Sequence, residues 1–225
     1  MYGQVWHGII LKLTNVGESD RIVTLYTKEL GKVQCVARGA RKMTTRYGGV
    51  LDLFVETRLE VTQKNHLPLI TQVHTEQWFP YLRTSLPHWQ YAERAAKALL
   101  RATSDEDPNV ELYFLFQQFL VEAEQFSNPQ PLWVFFLFKL LFLVGFGIST
   151  ETCQSCRESL TVVAHKAPSY DGFICTDCAR LVNQDDRLVW EYLCQLSSKG
   201  SPLPANEHGT KVQQFLEDSF RYHLS

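Results

Sequence analysis

The chain has 225 residues, 45% of them hydrophobic, with 22 Lys+Arg against 24 Asp+Glu and a formal net charge of −2. That balance excludes a chain too polar to bury a core and leaves room for one large domain or two to three small ones. The total hides an asymmetry. Residues 1–80 carry 10 Lys+Arg against 7 Asp+Glu, and residues 81–225 carry 12 against 17. A mildly basic front and an acidic back suggest two modules with different partners. Uneven surface charge accounts for the same totals, so local clustering has to decide.

Met1 to Gly17 has no basic segment followed by an uninterrupted apolar stretch, so it reads as a strand and not a signal peptide. Without export the thiols stay reduced. Val5–Leu13, Arg21–Thr27 and Lys32–Ala37 are β-branched or aromatic runs, punctuated by Gly17 and by Glu29-Leu-Gly31. Residues 51–61 alternate, with Leu51, Leu53, Val55, Thr57, Leu59 and Val61 on one face and Phe54 the exception on the other. Pro68–Phe79 is a fifth run. Five short strands within 80 residues suit a small closed barrel, either the five-stranded oligonucleotide-binding fold (OB-fold) or an SH3-like barrel.

After Pro80 the period becomes helical. Trp89, Ala92, Ala96 and Leu99 share a stripe over about 86–102. Asp107-Pro108 reads as an N-cap followed by Pro at the first helical position, and Asn128-Pro129 repeats the signal. The stretch Leu132–Ile148 is nearly all apolar, but it is short for a membrane span and carries Lys139 at its centre. A helix buried inside a helical domain is the preferred reading. Two further helices are expected at about 185–198 and 208–223. The predicted class is therefore α+β. An N-terminal barrel over 1–80 is followed by a helical domain over 81–225, with a cysteine knuckle inserted at 150–180.

Cys153-x2-Cys156 and Cys175-x2-Cys178 form two pairs 18 residues apart. A two-residue gap turns both thiolates of a pair toward one point, and Asp171-Gly172 turns the chain back to supply the second pair. The expected result is a four-sulfur structural zinc (Zn²⁺) site. Iron is the rival ion, and two disulfides are the alternative in an oxidising compartment. Four protein ligands leave no open position for water, which argues against a catalytic metal. Between Cys153 and Cys178 the charges are Arg157 and Lys166 against Glu158, Asp171 and Asp177, the wrong sign for holding phosphate. The knuckle reads as a staple for the helical domain, with His165 an ordinary strand or loop residue. Cys35 and Cys194 read as small core residues.

Between Glu29 and Asp52 there is no acidic residue, while Lys32, Arg38, Arg41, Lys42 and Arg46 fall in that window. Gly39, Gly48 and Gly49 free the backbone, and Tyr47 offers a ring beside the charges. Positive density plus an aromatic on a barrel loop suits single-strand binding, with a solvated loop as the bland alternative. There is no Gly-x4-Gly-Lys-Ser/Thr loop, Gly-x-Ser-x-Gly elbow or His-Glu-x-x-His motif, and nothing in the sequence proposes an enzyme. A protein-interaction adaptor without intrinsic DNA affinity is the alternative function.

The order of features resembles the bacterial RecO family of DNA repair proteins over nearly the whole chain. The resemblance is carried by Gly8-Ile-Ile-Leu-Lys-Leu13, Gly17-Glu-Ser-Asp-Arg-Ile22, Leu25-Tyr-Thr-Lys-Glu-Leu-Gly-Lys32 and Val36-Ala-Arg-Gly-Ala-Arg-Lys42. It continues in Phe138-Lys-Leu-Leu-Phe-Leu-Val-Gly-Phe-Gly147 and the four cysteines. It implies an OB-fold joined to helices, binding of single- and double-stranded DNA, strand annealing, and help in loading RecA. It further implies RecR and the acidic tail of single-stranded DNA-binding protein as partners, in the cytoplasm at the nucleoid. Arg38, Arg41 and Lys42 match the family's positively charged loop.

Overall fold

The computed structural model describes residues 3–42, 44–45, 47, 49–62, 67–161, 164–169, 171–179, 184–204 and 208–224. It falls into two compact units, 1–125 and 126–225. The change from strand to helix lies earlier, between Gln77 and Pro80, so the first unit takes in three helices as well as the strands.

The strands are β1 (Gly3–Val16), β2 (Asp20–Thr27), β3 (Gly31–Ala37), β4 (Glu56–Thr62) and β5 (Leu69–Gln77). They close in the order β1-β2-β3-β5-β4. β1 pairs with both β2 and β4, and β3 meets β5 in parallel at Val36↔Leu69. This is the OB-fold order, and it decides against the SH3-like alternative. The interior is filled by Val23, Leu25, Cys35, Leu59, Val61 and Ile70, of which the alternation singles out Leu59 and Val61.

The ladder is irregular in several places, including register shifts between β4 and β5 at Glu56/Thr57 and Glu60/Val61. β1 carries a bulge between Ile10 and Lys12, which leaves Leu11 as an extra residue against β2. The expected strand at 51–61 begins only at Glu56. Its first residues alternate in hydrophobicity because Leu51 and Val55 are buried from a turn, not from a ladder, with Leu51 in the barrel core. Phe54 sits in the left-handed region at φ 63°. Its N–H donates to Ile10 O at 2.8 Å, and Ile10 N–H donates to Val55 O at 3.1 Å. The Phe54 ring then meets the edge of Trp89, with centroids 4.9 Å apart. That turn explains the apolar residue on the otherwise polar face.

Three helices complete the unit: α1 (Pro80–Thr84), α2 (Leu86–Ala102) and α3 (Val110–Ala123). The Glu124 carboxylate accepts from Tyr81 N–H and Leu82 N–H, which satisfies the first amides of α1. α2 buries His88, Ala92, Ala95, Ala96, Ala98 and Leu99, which includes Ala92, Ala96 and Leu99 of the predicted stripe, while Trp89 is only half-buried. The cap of α3 is Asn109 and not Asp107. Asn109 Oδ1 accepts from Glu111 N–H at 3.0 Å and Leu112 N–H at 3.1 Å. Asp107 is instead committed to the barrel: a Cβ on Gly31 (φ 68°) would lie 2.2 Å from its carbonyl oxygen.

The second unit holds α4 (Gln130–Leu143), β6 (Ala164–Lys166), β7 (Phe173–Cys175), α5 (Gln184–Lys199) and α6 (Gly209–His223). Ten of the fourteen α4 residues are buried, so this helix is apolar on all sides because it is central. Trp133 Nε1–H on α4 donates to Glu217 on α6 at 3.0 Å. The Lys139 ammonium lies 5.7 Å from the centre of the Phe135 ring. Among the described residues no helix is long and apolar enough to cross a membrane.

Candidate metal centre and nucleic-acid interface

The four cysteines come together. Their sulfurs all lie within 4.8 Å of one another, and Cys156 Sγ and Cys175 Sγ are 3.8 Å apart. An ion bonded tetrahedrally at about 2.3 Å places its sulfurs about 3.8 Å from each other, so the set fits a metal ion. The turn after Cys153 closes with Arg157 N–H donating to Cys153 O at 3.0 Å, with Arg157 in the left-handed region at φ 67°. The second pair sits at the end of the β6–β7 hairpin, where Cys178 N–H donates to Cys175 O at 3.2 Å.

The electrostatics of the cluster also favour a cation. Burial pushes the Cys153 thiol up, but the amides of Cys156, Cys175 and Ser155 outweigh it and draw it down to about 6. The Glu158 amide pulls Cys156 down, and the neighbouring cysteine sulfurs more than offset that, leaving it at about 12. One thiolate is therefore supported by backbone donors, while a second beside it is disfavoured until a positive ion compensates it.

The knuckle is bound into its own unit. Trp190 Nε1–H on α5 donates to Thr150 O at 2.8 Å, and Lys166 N–H donates to Asp186 Oδ2 at 3.1 Å. Phe173, fully buried, meets Phe215 of α6 with centroids 5.5 Å apart. Gly172 is required at the turn, because a Cβ there would lie 2.9 Å from Ser149 O. His165 is a buried β6 residue opposite Ile174 and is not part of the sulfur cluster. Cys35 is a core thiol, pushed up to about 12 by burial. Cys194 is only half-buried on α5 and is not the core residue expected.

The basic segment divides. Arg38, Arg41 and Lys42 are exposed on the turn that leaves β3. This turn is laced to the β1–β2 turn. Gly39 N–H donates to Asp20 Oδ1 at 2.8 Å, Arg41 N–H to Ser19 O at 2.9 Å, and Arg41 Nη1–H to Gly17 O at 3.1 Å. The Gly39 amide first, then the Ser19 hydroxyl and the Arg38 and Lys42 charges, hold the Asp20 carboxyl below the usual carboxylate range. Sequence reasoning missed this clamp, although Gly17-Glu-Ser-Asp20 has the composition of a turn that caps its neighbours.

Lys32 and Tyr47 are placed elsewhere. The Lys32 ammonium donates to the carbonyls of Leu100 and Thr103 at the end of α2 and pairs with Asp105 at 3.2 Å, its side chain only 16% exposed. Its charge is satisfied inside the unit. Tyr47 is 3% exposed, packed in the barrel core with its Oη–H donating to Ile70 O at 3.3 Å, so it offers no stacking face. Arg46 and Gly48 lie outside the described residues.

Comparison with known proteins now adds the family. The model for the Recombination protein O N terminal matches residues 5–79, and the model for the Recombination protein O C terminal matches residues 83–201. The chain belongs to the RecO family. A DNA repair protein RecO of Synechococcus sp. (strain JA-3-3Ab) is 34% identical over 206 residues, covering 86% of this chain and 68% of that one. Another, of Synechococcus sp. (strain JA-2-3B'a(2-13)), is 30% identical over 226 residues, covering 93% and 79%. A DNA repair protein RecO of Listeria monocytogenes serotype 4b (strain CLIP80459) is 32% identical over 171 residues, covering 76% and 67%. The N-terminal RecO match coincides with the barrel, and the C-terminal match takes in α2, α3, α4 and the whole cysteine centre.

Proposed function

We propose that this RecO-family chain is a non-enzymatic recombination and repair mediator. It binds single- and double-stranded DNA, anneals complementary strands and assists RecA loading on strands coated by single-stranded DNA-binding protein. The observation that carries the reading is the clamped turn of Arg38, Arg41 and Lys42 on a five-stranded OB barrel. Three exposed cations held on one rigid turn neutralise neighbouring phosphates without reorganising. Reduced repulsion is what two complementary strands need in order to approach, and no nucleotide hydrolysis is required. RecR and the acidic tail of single-stranded DNA-binding protein are the proposed partners, the nucleoid the proposed location, and family membership supports both.

We assign zinc to the four-sulfur site. The all-thiolate set and its tetrahedral spacing suit that ion, and four ligands close its coordination. The centre then holds the second unit together and takes no part in DNA contact.

Anisotropy titration of a labelled single strand across a salt series, with annealing followed in the absence of ATP, tests the reading. Three phosphate contacts predict log affinity falling with log salt at a slope of about −2. Salt-insensitive binding, or none, together with tight partner binding, assigns the chain to an adaptor instead.

A further inference from the structure

The first unit contains a groove of about 520 Å³ between β1 and α2, away from the clamped turn. Its apolar lining comes from Leu11 and Leu13 of β1, Leu53 and Phe54 of the turn before β4, and Ala96 and Leu100 of α2. Lys12, Lys97 and Arg101 stand around it against a single carboxylate, Glu93, which Lys97 pairs with at 2.8 Å. Two backbone irregularities of the barrel meet here: the β1 bulge at Leu11 and the left-handed Phe54. A bulge re-aims side chains, and a non-glycine residue at positive φ persists only where its surroundings enforce it. The volume falls in the range of roughly 300–1,000 Å³ common for small-ligand clefts.

We propose that this groove holds a nucleotide of single-stranded DNA, its base against the leucines and its flanking phosphates on Lys12 and Lys97. The inference rests on the DNA-binding reading above and extends that interface to residues outside the basic loop. An apolar floor buries the face of any base without reading its edge, and cations at the rim track the backbone. Charge complementarity favours a polyanion, and the geometry supplies continuity. β1 runs without a break from Lys12 to Val16, and the carbonyl of the next residue, Gly17, holds Arg41. Five residues of strand span about 17 Å, so one strand of a few nucleotides bridges the turn and the groove.

The test uses the full chain, with a labelled oligo-dT and an abasic strand of equal length titrated across a salt series. Lys12→Gln with Lys97→Gln removes two exposed cations. At a slope of about −0.7 per phosphate, each contact is worth about fivefold at 0.1 M salt. The double variant should therefore bind about 25-fold more weakly and flatten the slope by about 1.4. Leu100→Trp should fill the groove and abolish a preference for oligo-dT over the abasic strand, leaving the slope unchanged. Unaltered melting temperatures show that the variants are folded. If Arg41→Gln with Lys42→Gln weakens binding while the groove variants match the parent, the groove is not part of the interface and the DNA reading stands. The groove is likewise excluded if the parent does not distinguish the two strands, or if the groove variants affect only binding of an acidic, leucine-containing peptide. Absence of single-strand binding by the parent overturns the DNA reading and this inference with it.

Discussion

Tyr113 Oη–H donates to Glu56 Oε1 at 2.6 Å, joining helix α3 to the first residue of strand β4. Gln117, one turn further along α3, donates through Nε2 to both oxygens of the same carboxylate at 2.7 and 2.8 Å. Glu56 is 4% exposed. A buried carboxylate is tolerated only when its lone pairs are met, so these two side chains are what permit an acidic residue beneath the helix. Tyr113→Phe should cost about 1.5–3 kcal/mol in urea unfolding, the range for a hydrogen bond to a charged group. Glu56→Gln, which keeps an acceptor, should cost less than Glu56→Ala.

The same tyrosine sets an alkaline limit. Burial, and then the hydrogen bond and charge of Glu56, push the Tyr113 phenol well above its ordinary value, and burial pushes Tyr26 up to about 12. Both folded values exceed the unfolded one, near 10. Their stabilising effect is therefore complete below about pH 10 and is lost as pH rises through the folded values. The phenolate absorbance due to Tyr113 and Tyr26 should appear together with loss of structure between about pH 10 and 12. A Tyr113 or Tyr26 contribution to phenolate absorbance, isolated as the difference from the Tyr113→Phe and Tyr26→Phe variants, that appears in that interval with the fold intact would contradict the burial argument.

Lys32→Met should lower stability by about 1–3 kcal/mol, because the Leu100 and Thr103 carbonyls at the end of α2 lose their charged donor. The salt slope of single-strand binding should not change. A slope that flattens by about 0.7 would return Lys32 to the DNA interface.

Asp20 separates loop geometry from loop charge. Asp20→Asn keeps an acceptor for Gly39 N–H and removes a negative charge beside Arg38 and Lys42. Single-strand affinity should rise a few-fold, the modest effect expected of an exposed charge screened by solvent. Asp20→Ala removes both the charge and the clamp, and the gain should be smaller or absent. Equal gains in the two variants would show that the clamp is irrelevant to binding.

Metal analysis should find one zinc ion per chain, bound less tightly as pH falls because protons compete with the ion for the thiolates. Cys153→Ser should melt the second unit at much lower temperature, since metal binding in such sites is worth on the order of 10 kcal/mol to folding. DNA affinity per folded molecule should be unchanged. A folded, metal-free Cys153→Ser chain that no longer binds DNA would place the knuckle in the interface.

Periodicity and spacing were enough to identify the elements. Alternation marks the strands, a stripe of alanines and leucines marks α2, and two Cys-x2-Cys pairs mark the metal centre, because each signal is local and survives any tertiary arrangement. The same local logic misread residues 51–55, where burial in a turn imitates the alternation of a strand. It also took Asp107 for the cap that Asn109 supplies.

What sequence could not assign was the destination of each side chain. Lys32, Arg38, Arg41, Lys42 and Tyr47 form one basic, aromatic window in the chain, yet three face solvent and two are drawn inward. Lys32 reaches carbonyls about 70 residues away, and Tyr47 fills the barrel opposite Ile70. The groove of Lys12 and Lys97 is likewise assembled from segments about 85 residues apart. Local propensity depends on neighbours in the chain. Whether a charge is free or paired, and a ring exposed or buried, depends on neighbours in space, and only the closed barrel with its packed helices decides that.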